Sequence, residues 1–134
     1  MALDVLVVPG AIAIDDVVAD RSLIDAIRDA MDRVEIMTSV CTGAFLLGEA
    51  GLLEGRHWTT HFEDLDILAE SIGRQGATRD VQWVDTGAVV TAGGLSAGIG
   101  MALHLVERLI DRPFAVATAR QIGYAWEPGN GVTA

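Results

Sequence analysis

The chain has 134 residues, half of them apolar, with a mean hydropathy of +0.38 and a formal net charge of −10. That length fits a single domain, residues 1–134, burying roughly two-thirds of the surface its unfolded chain would expose. Nothing forms a basic footprint, which excludes nucleic acid as a partner, and no segment is apolar for long enough to span a bilayer.

All nine basic side chains are arginine and lysine is absent. A GC-rich genome and adaptation to high salt both account for an acidic, lysine-free surface. The single cysteine excludes an internal disulfide framework and fits a reducing compartment, so the expected address is cytoplasmic. Met1–Ile14 is apolar, but it lacks a basic leader, carries Asp4 and breaks at Pro9-Gly10. It reads as a strand and loop, not as a signal peptide.

In chain order, Leu3–Val8 predicts a buried strand running into the Pro9-Gly10 loop. Ser22 with Asp25 predicts a capping box opening a helix whose face is Leu23, Ile24, Ile27 and Met31. Val34–Val40 is a second strand, ending on Cys41, and a helix follows at once from Thr42 to Ala50, closed by Gly51 in a left-handed cap. Thr60 with Glu63 predicts another capping box ahead of Phe62, Leu65, Leu68, Ala69 and Ile72. Val81–Val84 and Ala88–Thr91 are β-rich, with Gly87 allowing a turn between them. A long helix is expected from about Ser96 to Ile110, and a last one begins near Pro113 and ends near Gly123. The first two strands and their crossover helix make a right-handed, parallel βαβ unit. The fold class is therefore α/β, with helices on both faces of a mainly parallel sheet.

The strand-to-helix junction at Cys41 carries the candidate chemistry. Unpaired N–H groups at the start of a helix favour an anion, and hence a thiolate, while Gly43 leaves room for a tight turn. The arrangement has the logic of a nucleophile elbow with cysteine in place of serine. A free cysteine is also commonly a small buried hydrophobe, and spacing alone leaves both options open.

Val40-Cys41-Thr42-Gly43-Ala44-Phe45-Leu46-Leu47 and Ala50-Gly51-Leu52-Leu53-Glu54-Gly55-Arg56 resemble the elbow signature of the ThiJ/PfpI family, in the class I glutamine amidotransferase-like superfamily. Thr59-Thr60-His61, Val90–Gly98 and Ala102–Leu109 resemble the motifs that follow in the branch holding isonitrile hydratases and AraC-regulator sensor domains. The resemblance covers essentially the whole chain. It implies a flavodoxin-like three-layer sandwich, a nucleophilic Cys41, and an oxyanion hole from backbone N–H groups of Gly10, Ala11 and Thr42. The family's usual second glycine is Ala11 here, and Gly100 stands where an acidic residue often follows.

Relative to the family, the chain looks N-terminally truncated. A preceding strand, helix and strand, with the acidic residue that hydrogen-bonds the cysteine, have no counterpart, and Asp15 and Asp16 read as a solvated helix approach. The missing strand would leave an apolar edge open at Leu3–Val8, which predicts edge pairing in a homodimer or a shortened form of a longer protein.

His61 is the imidazole expected beside Cys41, either moving protons or lining the pocket. His57 and His61 have the spacing of a helical zinc pair, but the intervening residues do not read as helix and no further ligands are evident, so no metal is expected. His104 reads as a helix-face residue. The glycine-rich Ala92–Gly100 run lacks a Walker lysine and is expected to approach the elbow closely instead of binding phosphate.

The leading expectation is a cysteine-dependent, cofactor-free hydratase or hydrolase acting on a small electrophile. The alternatives are a non-catalytic redox or ligand-sensing domain and an inactive shortened family member. A transcription factor is not expected, since only a short tail follows Gly123, nor is a glutamine amidotransferase, since no downstream His-x-Glu pair is present.

Overall fold

In a computed structural model, which describes residues 2–134, the two apolar runs form strands β1 (Leu3–Val8) and β2 (Val34–Val40) with the bounds that the sequence predicts. β1 is not the buried strand expected, however, since at the sheet edge only its Val8 is buried. They pair in parallel, Val5 beside Ile36 and Val8 beside Ser39. Parallel neighbours need a crossover, and helices α1 (Ile14–Val18) and α2 (Arg21–Ala30) supply it.

The predicted capping box at Ser22 is not formed. Asp20, in extended geometry, accepts the Leu23 N–H at 3.2 Å, so α2 starts one residue before Ser22. The apolar face is otherwise as expected, with Ile24 and Ile27 buried and Leu23 and Met31 packed at its margin.

Helix α3 (Gly43–Glu49) leaves β2 through Cys41 and Thr42, and Gly51 follows it at φ 78°. After a short 3-10 turn (Phe62–Asp64), helix α4 (Leu65–Ile72) buries Leu65, Leu68 and Ala69, whereas Phe62 points outward, 75% exposed. The Thr60–Glu63 capping box is also replaced. His61 Nδ1 accepts the Glu63 N–H, because the Thr60 hydroxyl is turned inward to the Cys41 carbonyl.

Strands β3 (Trp83–Asp85) and β4 (Val89–Ala92) make an antiparallel hairpin, shifted one or two residues from the predicted runs. β4 lies parallel to β2, and an unforeseen strand β5 (Gly131–Thr133) runs parallel to β3, giving the order β1-β2-β4-β3-β5. Three of the four pairings are parallel. The outer edge of β1 pairs with nothing among the described residues.

Side-chain alternation splits the core between the two faces of this sheet. Met37 and Val89 pack with the buried faces of α1–α4. Ile36, Val90 and Ala92 pack with Met101 and Leu105 of α5 (Ala97–Leu109). Helix α6 (Arg112–Gln121) lies against α5, with Pro113 in its first turn and Asp111 as its cap. The result is the expected three-layer α/β sandwich.

A buried polar cluster fixes α5 to the β3–β4 hairpin. Asp85 is 3% exposed and meets His104 Nε2 at 2.7 Å, the Gly87 N–H at 2.8 Å and the Arg108 guanidinium at 3.2 Å. The His104 ring stacks on Trp83, their centroids 3.6 Å apart. Burial pushes the Asp85 carboxyl up, but the His104 hydrogen bond, the Gly87 N–H and the Arg108 and His104 charges outweigh it. The group is held below the usual carboxylate range.

Candidate functional site

The local sequence makes a strained turn where β2 ends. Cys41 adopts φ 56°, a left-handed conformation that few residues other than glycine enter, at a cost of about 1–3 kcal/mol. Its surroundings hold it there. The Cys41 N–H donates to Gly93 O at 2.9 Å and Ala92 O at 3.2 Å, so the end of β4 clamps the turn from one side. From another side, the Thr60 hydroxyl donates to the Cys41 carbonyl at 2.8 Å. Cys41 is half-buried, not sealed within the core.

The loop after β1 closes on the same turn. The Thr42 hydroxyl donates to Ala11 O and accepts the Ala11 N–H, both at 3.0 Å. A side chain at Gly10 would reach within 2.5 Å of Thr42 Oγ1 and 2.8 Å of Thr42 N, so only glycine lets the two backbones come this close. Gly10, Ala11 and Thr42 are thus brought together beside Cys41. They are not equivalent. The N–H groups of Gly10 and Thr42 have no hydrogen-bond partner among the described residues, whereas that of Ala11 is occupied by the Thr42 hydroxyl.

His61 lies one residue beyond the Thr60 that grips Cys41. Its ring stacks on Phe62 with centroids 4.7 Å apart, and Nδ1 accepts the Glu63 N–H at 3.2 Å with Asp64 Oδ2 at 3.4 Å. The opposite edge of the ring rests on Gly94. A side chain there would reach 2.6 Å from Cδ2 and 3.2 Å from Nε2. Gly93 therefore clamps Cys41 while Gly94 makes room for His61, which accounts for the paired glycines.

Gly98, the next glycine along, faces Val40 of β2, and the space beside Gly100 is taken by the Gln82 side chain. A groove of about 810 Å³ shares Thr60 and Gly93 with the elbow and continues past Gln82, Ser96 and Asn130.

The other sequence candidates lie apart from this turn. His57 and His61 do not share a helical turn, because Trp58 between them bridges to Ala77. Asp15 and Asp16 start α1 as exposed residues, and no carboxylate hydrogen-bonds the Cys41 side chain among the described residues. The sequence alone does not mark Thr60 as a site residue. Its contact with Cys41 depends on the spatial return of residue 60 to residue 41, which no local pattern encodes.

Residues 1–108 match the DJ-1/PfpI family. The chain is 37% identical to the isonitrile hydratase of Pseudomonas putida over 126 residues, covering 94% of this chain and 54% of that enzyme. It is also 28% identical to the HTH-type transcriptional regulator GbdR of Pseudomonas aeruginosa, covering 92% of this chain and 33% of the regulator. A crystal structure of a ThiJ/PfpI family protein from Pseudomonas syringae superposes with a TM-score of 0.84 at 30% identity, covering 96% of this chain and 52% of that one. The chain thus spans about half the length of the hydratase and the solved structure, and about a third of the regulator. Family match, fold and motif order agree: this chain belongs to the DJ-1/PfpI family.

Proposed function

We propose that the chain is a cysteine-dependent hydratase of small electrophiles, with Cys41 as nucleophile. The observation that carries the reading is the strained, half-buried Cys41 turn, with the Gly10 and Thr42 amides beside it unpaired among the described residues. Backbone strain tends to collect at functional sites, and preorganised N–H groups lower the energy of charge that develops during reaction.

On an isonitrile, the sulfur adds to the terminal carbon, which takes up a proton to give a thioimidate. Water then adds to that carbon, the C–S bond breaks with its electrons returning to sulfur, and an N-substituted formamide departs. The Gly10 and Thr42 amides would receive the oxygen introduced by water. The isonitrile hydratase similarity supports this substrate class. The test is steady-state turnover of a panel of isonitriles by the wild-type chain and by Cys41→Ala. Formamide production that vanishes in the folded variant supports the reading, and equal production by both overturns it.

A second reading is a redox or ligand-sensing domain. It is favoured by the similarity to a regulator. In that role Cys41 would reduce a peroxide, becoming a sulfenic acid while the peroxide leaves as water. Reversible oxidation without turnover would favour it.

We further propose that the open edge of β1 pairs with a second copy of the chain. Support comes from Val7, 52% exposed on that strand, and from an apolar groove beside it lined by Leu6, Ile14, Val17, Leu23 and Ile27.

A further inference from the structure

We infer that neutral His61 keeps its proton on Nε2, so that it serves the elbow as a hydrogen-bond donor and not as the base that deprotonates Cys41. The inference deepens the hydratase reading and rests on it for its functional half.

The other ring nitrogen fixes the tautomer. Nδ1 lies 3.2 Å from the Glu63 N–H, in donor geometry, and a backbone N–H can only donate. An acceptor Nδ1 carries no proton, so in the neutral ring the proton must sit on Nε2. The alternative tautomer would aim Nδ1–H at Asp64 Oδ2, 3.4 Å away, but would leave two N–H groups, its own and that of Glu63, facing each other. A neutral imidazole cannot donate and accept at one nitrogen. The Nε2–H form sets the bare Nδ1 against Asp64 Oδ2 only at 3.4 Å and beside solvent, whereas the Nδ1–H form opposes two N–H groups at 3.2 Å, and this favours Nε2–H.

The ring has little freedom to turn over. Phe62 stacks on its face, and the Cδ2–Nε2 edge fits against Gly94, next to the Gly93 carbonyl that holds the Cys41 N–H. The Nε2–H therefore belongs to the edge that meets the Gly93-Gly94 loop. A neutral imidazole in this state stabilises charge by donating a hydrogen bond, which needs no proton transfer.

The tautomer is read from long-range proton–nitrogen NMR spectra of the ¹⁵N-labelled chain at a pH where the ring is neutral. His61 is assigned among the three histidines by its loss in His61→Asn. A protonated Nε2 and bare Nδ1 are expected, and a protonated Nδ1 overturns the inference.

A second arm uses kcat/KM with an isonitrile. His61→Gln places an amide donor near the Nε2 position and is expected to stay within about tenfold of wild type. His61→Glu places an acceptor there and should lose on the order of 10²-fold, as removal of one such donor does. Retention by Glu and loss by Gln would mark a base and overturn the inference. If the wild-type chain turns over no isonitrile, the hydratase reading fails, and the tautomer alone decides this one.

Discussion

Thr60 reaches across 19 residues to donate its hydroxyl proton to the carbonyl of Cys41 at 2.8 Å, fastening the segment that carries His61 to the strained turn. Thr60 is 2% exposed, and removing its hydroxyl leaves the Cys41 carbonyl with only the long Ala44 N–H contact at 3.5 Å. Thr60→Val should destabilise the chain by about 1–3 kcal/mol in urea unfolding, and Thr60→Ser should recover most of the loss. Equal losses in both variants would assign the effect to packing.

Gly94→Ala tests the packing between the glycine loop and the imidazole. The new methyl meets the His61 ring at a distance no packed carbon tolerates, so the ring or the loop must shift. The expected cost is about 1–3 kcal/mol, with a displaced His61 ring resonance in NMR spectra. An unperturbed His61 signal would show that the ring is not held against Gly94.

The Asp85 cluster predicts the direction of acid sensitivity. Its carboxyl lies below the usual range when folded, so the chain binds that proton more weakly when folded than when unfolded. The resulting stability is fully present above the unfolded value of about 3.9 and is lost as pH falls through the lower folded value. Asp85→Asn should cost about 3–5 kcal/mol near neutrality, because His104 and Arg108 lose a buried partner. The gap between variant and wild type should narrow in acid below about pH 4. A gap that stays constant down to that range would refute the assignment.

The β1 edge predicts a concentration-dependent dimer. Val7→Lys puts a charge on the exposed strand without touching the elbow, and it should shift sedimentation from dimer to monomer with unfolding behaviour little changed. A wild-type chain that sediments as a monomer at all concentrations would remove the pairing.

The fold was legible where a single local signal decides the outcome. The apolar runs at Leu3–Val8 and Val34–Val40 form strands where the sequence predicts them, although only Val8 of the first is buried, and Gly51 and Pro113 mark helix ends by their own backbone limits. The caps were harder to read, because several nearby polar residues compete for the same backbone N–H. Asp20 displaced Ser22, and His61 displaced Thr60, for reasons set by the path of the chain and not by spacing. β5 was unreadable: Gly131–Thr133 has no apolar run and forms only because β3 offers an edge.

At the candidate site, motif resemblance groups Cys41 with Gly10 and Thr42, and the fold brings the Gly10-Ala11 loop against Thr42. The occupation of the Ala11 N–H by the Thr42 hydroxyl could not be foreseen, since it depends on a rotamer at residue 42.

The central claim is that Cys41 stands ready to react from the folded state. Iodoacetamide labelling of the native chain, followed by intact-mass spectrometry alongside a urea-unfolded sample, tests it most directly. Folded Cys41 is expected to be alkylated to completion, at least as fast as in the unfolded chain. Labelling that appears only after unfolding would contradict it.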